Sequence, residues 1–183
     1  NLDGAFLFQT TLCKANLRSA SLRGAGLAAA DLTQARLTKA NLQRAGLGGA
    51  ILIGADLRQA DLREANLHGA NLVRANLEGA NLSNSRLQEA NLGQASLEGA
   101  DLSRADLLRA RLGKTDLENA NLQIAKLEEA DLSQANLLKA NLAEADLARA
   151  ILIETCLLEA SLKGANLDGA NLHGALLKDA ILP

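Results

Sequence analysis

Ala70-Asn71-Leu72-Val73-Arg74-Ala75-Asn76-Leu77-Glu78-Gly79-Ala80-Asn81-Leu82 repeats Ala-Asn-Leu three times at intervals of five, and nearly the whole chain is made of that word. Leu holds every fifth position from Leu2 to Leu182. Ala stands two before each Leu, except at Thr10, Ser85, Thr115 and Thr155, and Asn or Asp is the usual residue between them. Self-similarity at a fixed period marks a repeat architecture, not a conventional globular core. A period of five matches neither the helical 3.6 nor the strand's 2. On a helix, a Leu every fifth residue would advance roughly 140° net each time and be smeared around the circumference. The only proline is Pro183, so a series of helices would also lack breaks.

Each word must therefore turn the chain and bury two of its five side chains. Ala and Leu alone stay apolar and point inward; Leu72, Leu77, Leu82, Leu92, Ala75 and Ala80 are expected core. The other three positions vary in charge and size and point outward. Ten of the fifteen glycines share the last position of the word, among them Gly4, Gly69, Gly79 and Gly174. A type II turn over Leu-x-x-Ala puts that position third, where φ is positive and Gly or Asn is favoured. Glu, Lys, Gln and Arg fill the slot elsewhere, so some turns are expected to be of another type. The Asn and Asp side chains are expected to bond neighbouring backbone at the turns, a bond lost where Arg36, Arg86, Arg111 and Lys126 replace them.

The word A-[DN]-L-x-x, kept in phase through thirty-seven copies of Leu without insertion, resembles the pentapeptide-repeat family over essentially all of residues 1–183. The resemblance implies an all-β solenoid: a right-handed quadrilateral parallel β-helix with four words per coil and about nine coils in a single domain. It also implies coils stacked at about 4.8 Å. The chain opens in mid-word on Asn1, so a capping segment upstream is expected.

Composition excludes several function classes. With 19 basic and 21 acidic residues, and a net charge of −2, no general nucleic-acid or membrane binder is expected. No apolar run approaches the roughly 18 residues of a bilayer span. Cys13 and Cys156 would lie about seven coils apart, roughly 34 Å at the stacking distance, too far for a disulfide. A reducing, cytoplasmic setting is the plain reading. His68 and His173 have no second ligand at metal spacing, and an axis filled with Leu and Ala leaves no pocket for a catalytic group. Neither enzyme activity nor a cofactor is expected.

Function must then lie in the outward columns. Glu78, Glu98 and Glu118 recur at spacing twenty in one slot, and Leu138 and Leu158 continue that column into an apolar stripe. They form the candidate partner face. Phe6 and Phe8, the only aromatics, fall in outward slots of the first coil and are candidates for an end contact, such as an end-to-end homodimer. Residues 18 to 63 lean basic through Arg18, Arg23, Arg36, Lys39, Arg44, Arg58 and Arg63. Ile51 and Ile53, with Val73 beside them, recur as Ile151 and Ile153 on one face. The expected function is a non-catalytic protein-binding scaffold. The resemblance implies an alternative, since some family members imitate B-form DNA and bind DNA gyrase. The near-neutral charge, the uninterrupted words and Leu in place of a central Phe depart from that group. The regularity of the words also fits a purely structural spacer or an idealised repeat.

Overall fold

A computed structural model describes residues 1–183. Every word makes one side of a square. In each, the amide of the Ala position donates to the carbonyl of the Leu three residues earlier, at 2.9 to 3.3 Å. The first residue of the intervening pair is never at positive φ, and the second always is, between 53° at Ser19 and 71° at Gly174. That combination defines a type II turn.

The turns do not divide by residue type as expected. Glu89, Lys114, Gln134 and Arg149 lie at φ 60°, 58°, 59° and 56°, and even the β-branched Ile124 lies at 58°. The left-handed region costs an L-residue roughly 1–2 kcal/mol, so something stronger holds these corners. It is the stacking above and below. A corner of different shape would throw its coil out of register with both neighbours.

That register is twenty residues throughout. Parallel bridges join Phe6 to Gly26, Asn71 to Asn91 and so on to Ser161 with Ile181. Twenty residues hold four words, so four turns close each coil into a quadrilateral. Along the body of the rod, three amides of each word cross to a neighbouring coil. In one word Asn71 donates to the Ala50 carbonyl at 2.9 Å, Leu72 to that of Asn91 at 2.7 Å, and Arg74 to that of Gly93 at 3.1 Å. The Ala amide closes its own turn. The remaining amide, on the first turn residue, has no backbone acceptor, and here the Asn or Asp acts.

Each Asn or Asp in the slot accepts that amide on its own Oδ1, two residues on, as when Val73 donates to Asn71 at 3.2 Å and Ser133 to Asp131 at 2.9 Å. This is the short-range bonding that makes Asx residues turn formers. Along most of the rod the side chain is thus half-buried over its own corner and is not free in solvent. Arg36, Arg86, Arg111 and Lys126 have only donors to offer, and the bond is absent there. Coil-to-coil amide bonds add to the ladder, with Asn121 Nδ2 donating to Asp101 and Asn141 Nδ2 to Asn121, each at 3.1 Å.

Inside, a single cluster of 55 buried residues runs the length of the rod, and all are Leu or Ala. Leu72, Leu77, Leu82, Leu92, Ala75 and Ala80 are each no more than 1% exposed. Polar groups enter the axis only in the Ala slot. Thr115 and Thr155 donate their hydroxyls to the carbonyls of Leu92 and Leu132 at 2.9 and 2.8 Å, using those oxygens' second lone pairs. Ser85 is equally buried, and its Oγ has no partner.

Three substitutions read these forces by chemical denaturation. Leu92→Ala should lower stability by about 2–5 kcal/mol, because the stacked coils cannot collapse into the gap. Ser85→Ala should raise it by roughly 1–2 kcal/mol by removing an unsatisfied buried hydroxyl. Ala29→Gly, at φ 54° and with no side chain to lose beyond Cβ, should raise it by up to about 1 kcal/mol. A loss of stability in Ala29→Gly would show that the corner is not strained.

Candidate functional site

With both inward positions of every word taken by Leu and Ala, recognition is left to columns of outward side chains repeating every twenty residues. The ladder brings Glu78, Glu98 and Glu118 into one such column, each on the first turn residue of its word. Their amides are held by the preceding Asx or left free, but their carboxylates make no hydrogen bond or ion pair. Glu78 and Glu98 are exposed and Glu118 is half-buried. Leu138 and Leu158 follow in the same column, both half-buried. The column is therefore three like charges spaced at about 4.8 Å, with Arg58 and Arg18 before them in the same column and an apolar step after them.

Several charged side chains of other columns are paired within the chain. On the second turn residues of another face, Arg109 and Arg149 both bind Glu129, at 2.7 and 2.8 Å, forming a three-rung ladder of alternating sign. Lys139 pairs with Glu159 at 3.8 Å. In the basic stretch between Arg18 and Arg63, three of the seven basic side chains are engaged. Arg44 binds Glu64 at 2.8 Å. Arg58 and Arg63 each grip an aspartate two residues earlier with two nitrogens, at 2.8 Å for Asp56 and at 2.8 and 2.6 Å for Asp61. Spacing in the sequence shows where these groups stack, whereas only the side-chain geometry shows which are already neutralised.

Concavity exists only on the outside. One shallow depression is lined by Arg18, Thr38, Arg58, Gln59 and Glu78 at the head of the acidic column. A second lies over Asn66, His68, Arg86, Gln88, Glu89 and Leu108. Nowhere do three or more His, Cys, Asp or Glu gather as a metal site would need, and Cys13 and Cys156 are both free thiols. Phe6 and Phe8 stand out from the first coil at 98% and 62% exposure. At the other end Leu176, Ile181 and Leu182 are exposed as well.

Asp56 accepts three side-chain hydrogen bonds. The Arg58 guanidinium and the Thr38 hydroxyl, which donates at 2.9 Å, hold its pKa well below the usual carboxylate range. Asp61, Glu64 and Glu129 are displaced the same way, chiefly by hydrogen bonds from Arg63, Arg44 and Arg109. A carboxyl whose folded pKa is depressed contributes stability that is fully present above its unfolded value, near 3.8 for Asp, and lost as pH falls through the folded value. The native rod should therefore hold its melting temperature down to about pH 4 and lose it below. Arg58→Gln should make that loss shallower, because the guanidinium's share of the Asp56 contribution is already gone, while the Thr38 bond remains. Identical acid profiles would show that the pair does not matter to folding.

The repeat model described as "Pentapeptide repeats (8 copies)" matches residues 1–38, 15–52, 40–79, 50–88, 85–123, 125–158 and 152–182. No curated protein sequence matches this chain. Among solved structures, the chain is similar to HetL, a pentapeptide repeat protein involved in heterocyst differentiation regulation from the cyanobacterium Nostoc sp. strain PCC 7120. The identity is 38%, the coverage 96% of this chain and 90% of HetL, and the TM-score 0.61. It is also similar to a trypsin-treated, singly substituted form of QnrB1, a plasmid-mediated fluoroquinolone resistance protein. There the identity is 17%, the coverage 94% and 87%, and the TM-score 0.51, a likeness of fold alone. The fold is the right-handed quadrilateral β-helix, whose members are in general structural or binding proteins and not enzymes. This chain, matched along nearly its whole length, belongs to the pentapeptide repeat family.

Proposed function

We propose that this chain is a non-catalytic, protein-binding scaffold of a regulatory kind, whose partner reads the column Glu78, Glu98, Glu118, Leu138 and Leu158. The carrying observation is that three carboxylates stack in one column and make no hydrogen bond or ion pair, whereas Glu64, Glu129 and Glu159 elsewhere are each paired with a cation. Like charges in a row repel one another, and a cationic surface would relieve that repulsion. The two leucines give such a surface an apolar neighbour to settle on, so the complement is a protein face with basic residues beside an apolar patch. The involvement of HetL in regulation supports the reading. Exposed Phe6 and Phe8 offer a separate contact at the end of the rod.

A second reading, imitation of DNA toward gyrase, is favoured by the same acidic column, since its regular negative charge is the feature a DNA-binding surface would accept. Two measurements separate these functions. Cross-linking in cell extract should retain a protein on the native rod and on a control Glu128→Gln/Glu144→Gln/Glu154→Gln, and lose it at least tenfold on Glu78→Gln/Glu98→Gln/Glu118→Gln. Equal retention by all three would remove the column from function. DNA supercoiling by gyrase should be unchanged by the native chain. Inhibition that disappears in Glu78→Lys/Glu98→Lys/Glu118→Lys would replace the scaffold reading with DNA mimicry.

A further inference from the structure

Ala50-Ile51-Leu52-Ile53 and Ala150-Ile151-Leu152-Ile153 are the same tetrad one hundred residues apart, which in a twenty-residue register is five coils. Ile51 and Ile151 share one column, each 38% exposed. Ile53, 36% exposed, shares the next column with Ile153. The other large apolar side chains with comparable exposure stand at the ends of the rod. The column of Ile53 carries no Asp, Glu, Lys or Arg from Cys13 to His173, and its midpoint is Gly93 and Gly113, where nothing projects beyond the backbone.

Two equal sites placed symmetrically about a midpoint are what an isologous contact requires, since each must meet the other's counterpart on a second copy. We propose that two copies of this chain pair side by side and antiparallel through this face, about a twofold axis lying across the rods between Gly93 and Gly113. That operation keeps each column facing itself and reverses the order of coils. Ile51 meets Ile151 of the second copy, and Ile53 meets Ile153. The two glycine rows fall opposite each other and let the backbones approach.

Charge selects this arrangement over the parallel one. In the column of Ile51, Arg111 falls opposite Asn91, and Asp131 opposite Asn71. Along the turn column that borders the same face, Arg149 meets Gly49 and Glu129 meets Gly69. There too Glu89, which has no ion pair in its own chain, meets Arg109. No like charges face one another, and an opposite pair forms twice. A parallel pairing about an axis running along the Ile51 column would set Arg111 on Arg111 and Asp131 on Asp131. The area is sufficient as well. One of four faces of a rod exposing 8309 Å² is about 2,000 Å², and a standard interface needs about 800 Å² per partner. The acidic column lies in the next face and stays open, so this pairing does not depend on the function proposed for it.

Sedimentation equilibrium of the native chain in the micromolar range should give twice the chain mass of 19.1 kDa. Ile51→Lys/Ile151→Lys, which sets lysine on lysine, should sediment as a monomer. Ile51→Lys/Ile151→Glu, which sets each lysine on a glutamate of the second copy, should restore the dimer. Circular dichroism melts of both variants establish that they fold. A native chain that is monomeric throughout overturns the proposal, as does a lysine–lysine variant that stays dimeric. A lysine–glutamate variant as monomeric as the lysine–lysine one overturns the antiparallel axis. Loss of the dimer in Phe6→Ser/Phe8→Ser, with both isoleucine variants unaffected, assigns association to the end of the rod instead.

Discussion

The bond from each Leu amide to the carbonyl nineteen residues on, close to 2.7 Å along the ladder, is the constraint to which the other features of this rod answer. It sets successive coils in contact and so puts Leu upon Leu along the axis. It also demands that every corner have the same shape. A solenoid of this kind is stable through its nearest-neighbour interfaces, so a local fault is felt by two coils at once. That is why Ile124 accepts a backbone conformation that β-branched residues avoid, and why residues as different as Gly and Arg serve at the same corner.

The Asn and Asp of the word complete this scheme. Three amides of each word are committed to neighbouring coils and one to its own turn, which leaves the amide of the first turn residue without a backbone acceptor. A buried or half-buried amide must be paired somewhere, and the short Asx side chain is the right length to reach two residues on. Residues that replace it at Ile51, Ile151 or Arg111 give up that bond. Ile51 and Ile151 lie on the face proposed to pair two copies. Departures from the word are therefore where to look for interaction, because the fold gains nothing from them.

A rod with a filled axis can recognise a partner only through columns, and adjacent faces of this one differ in character. One carries unpaired carboxylates that run into leucine. Another, uncharged in the column of Ile53, carries isoleucines placed symmetrically about two glycines. Elsewhere arginine and glutamate alternate and neutralise each other. Because the faces share only the Leu and Ala interior, changes on one are expected to leave the others undisturbed. Additivity of this sort is the usual behaviour of sites without shared contacts.

Much of the fold was legible in the sequence, because a five-residue period is incompatible with helix and flat strand, and only Leu and Ala persist inward. The glycines at the last position of the word disclosed the positive-φ corner. The stacking of Glu78, Glu98 and Glu118, and of Ile51 with Ile151, followed once twenty residues per coil was adopted. The sequence could not show that Glu89, Lys114 and Ile124 make the same turn as Gly79, since local preference opposes it and only the ladder imposes it. Nor could it show that Arg58 and Arg63 are already occupied by Asp56 and Asp61, or that the Glu78 carboxylate is not. Spacing assigns a side chain to a face, but which neighbour it reaches depends on three-dimensional distances between groups, and those exist only once the coils are stacked.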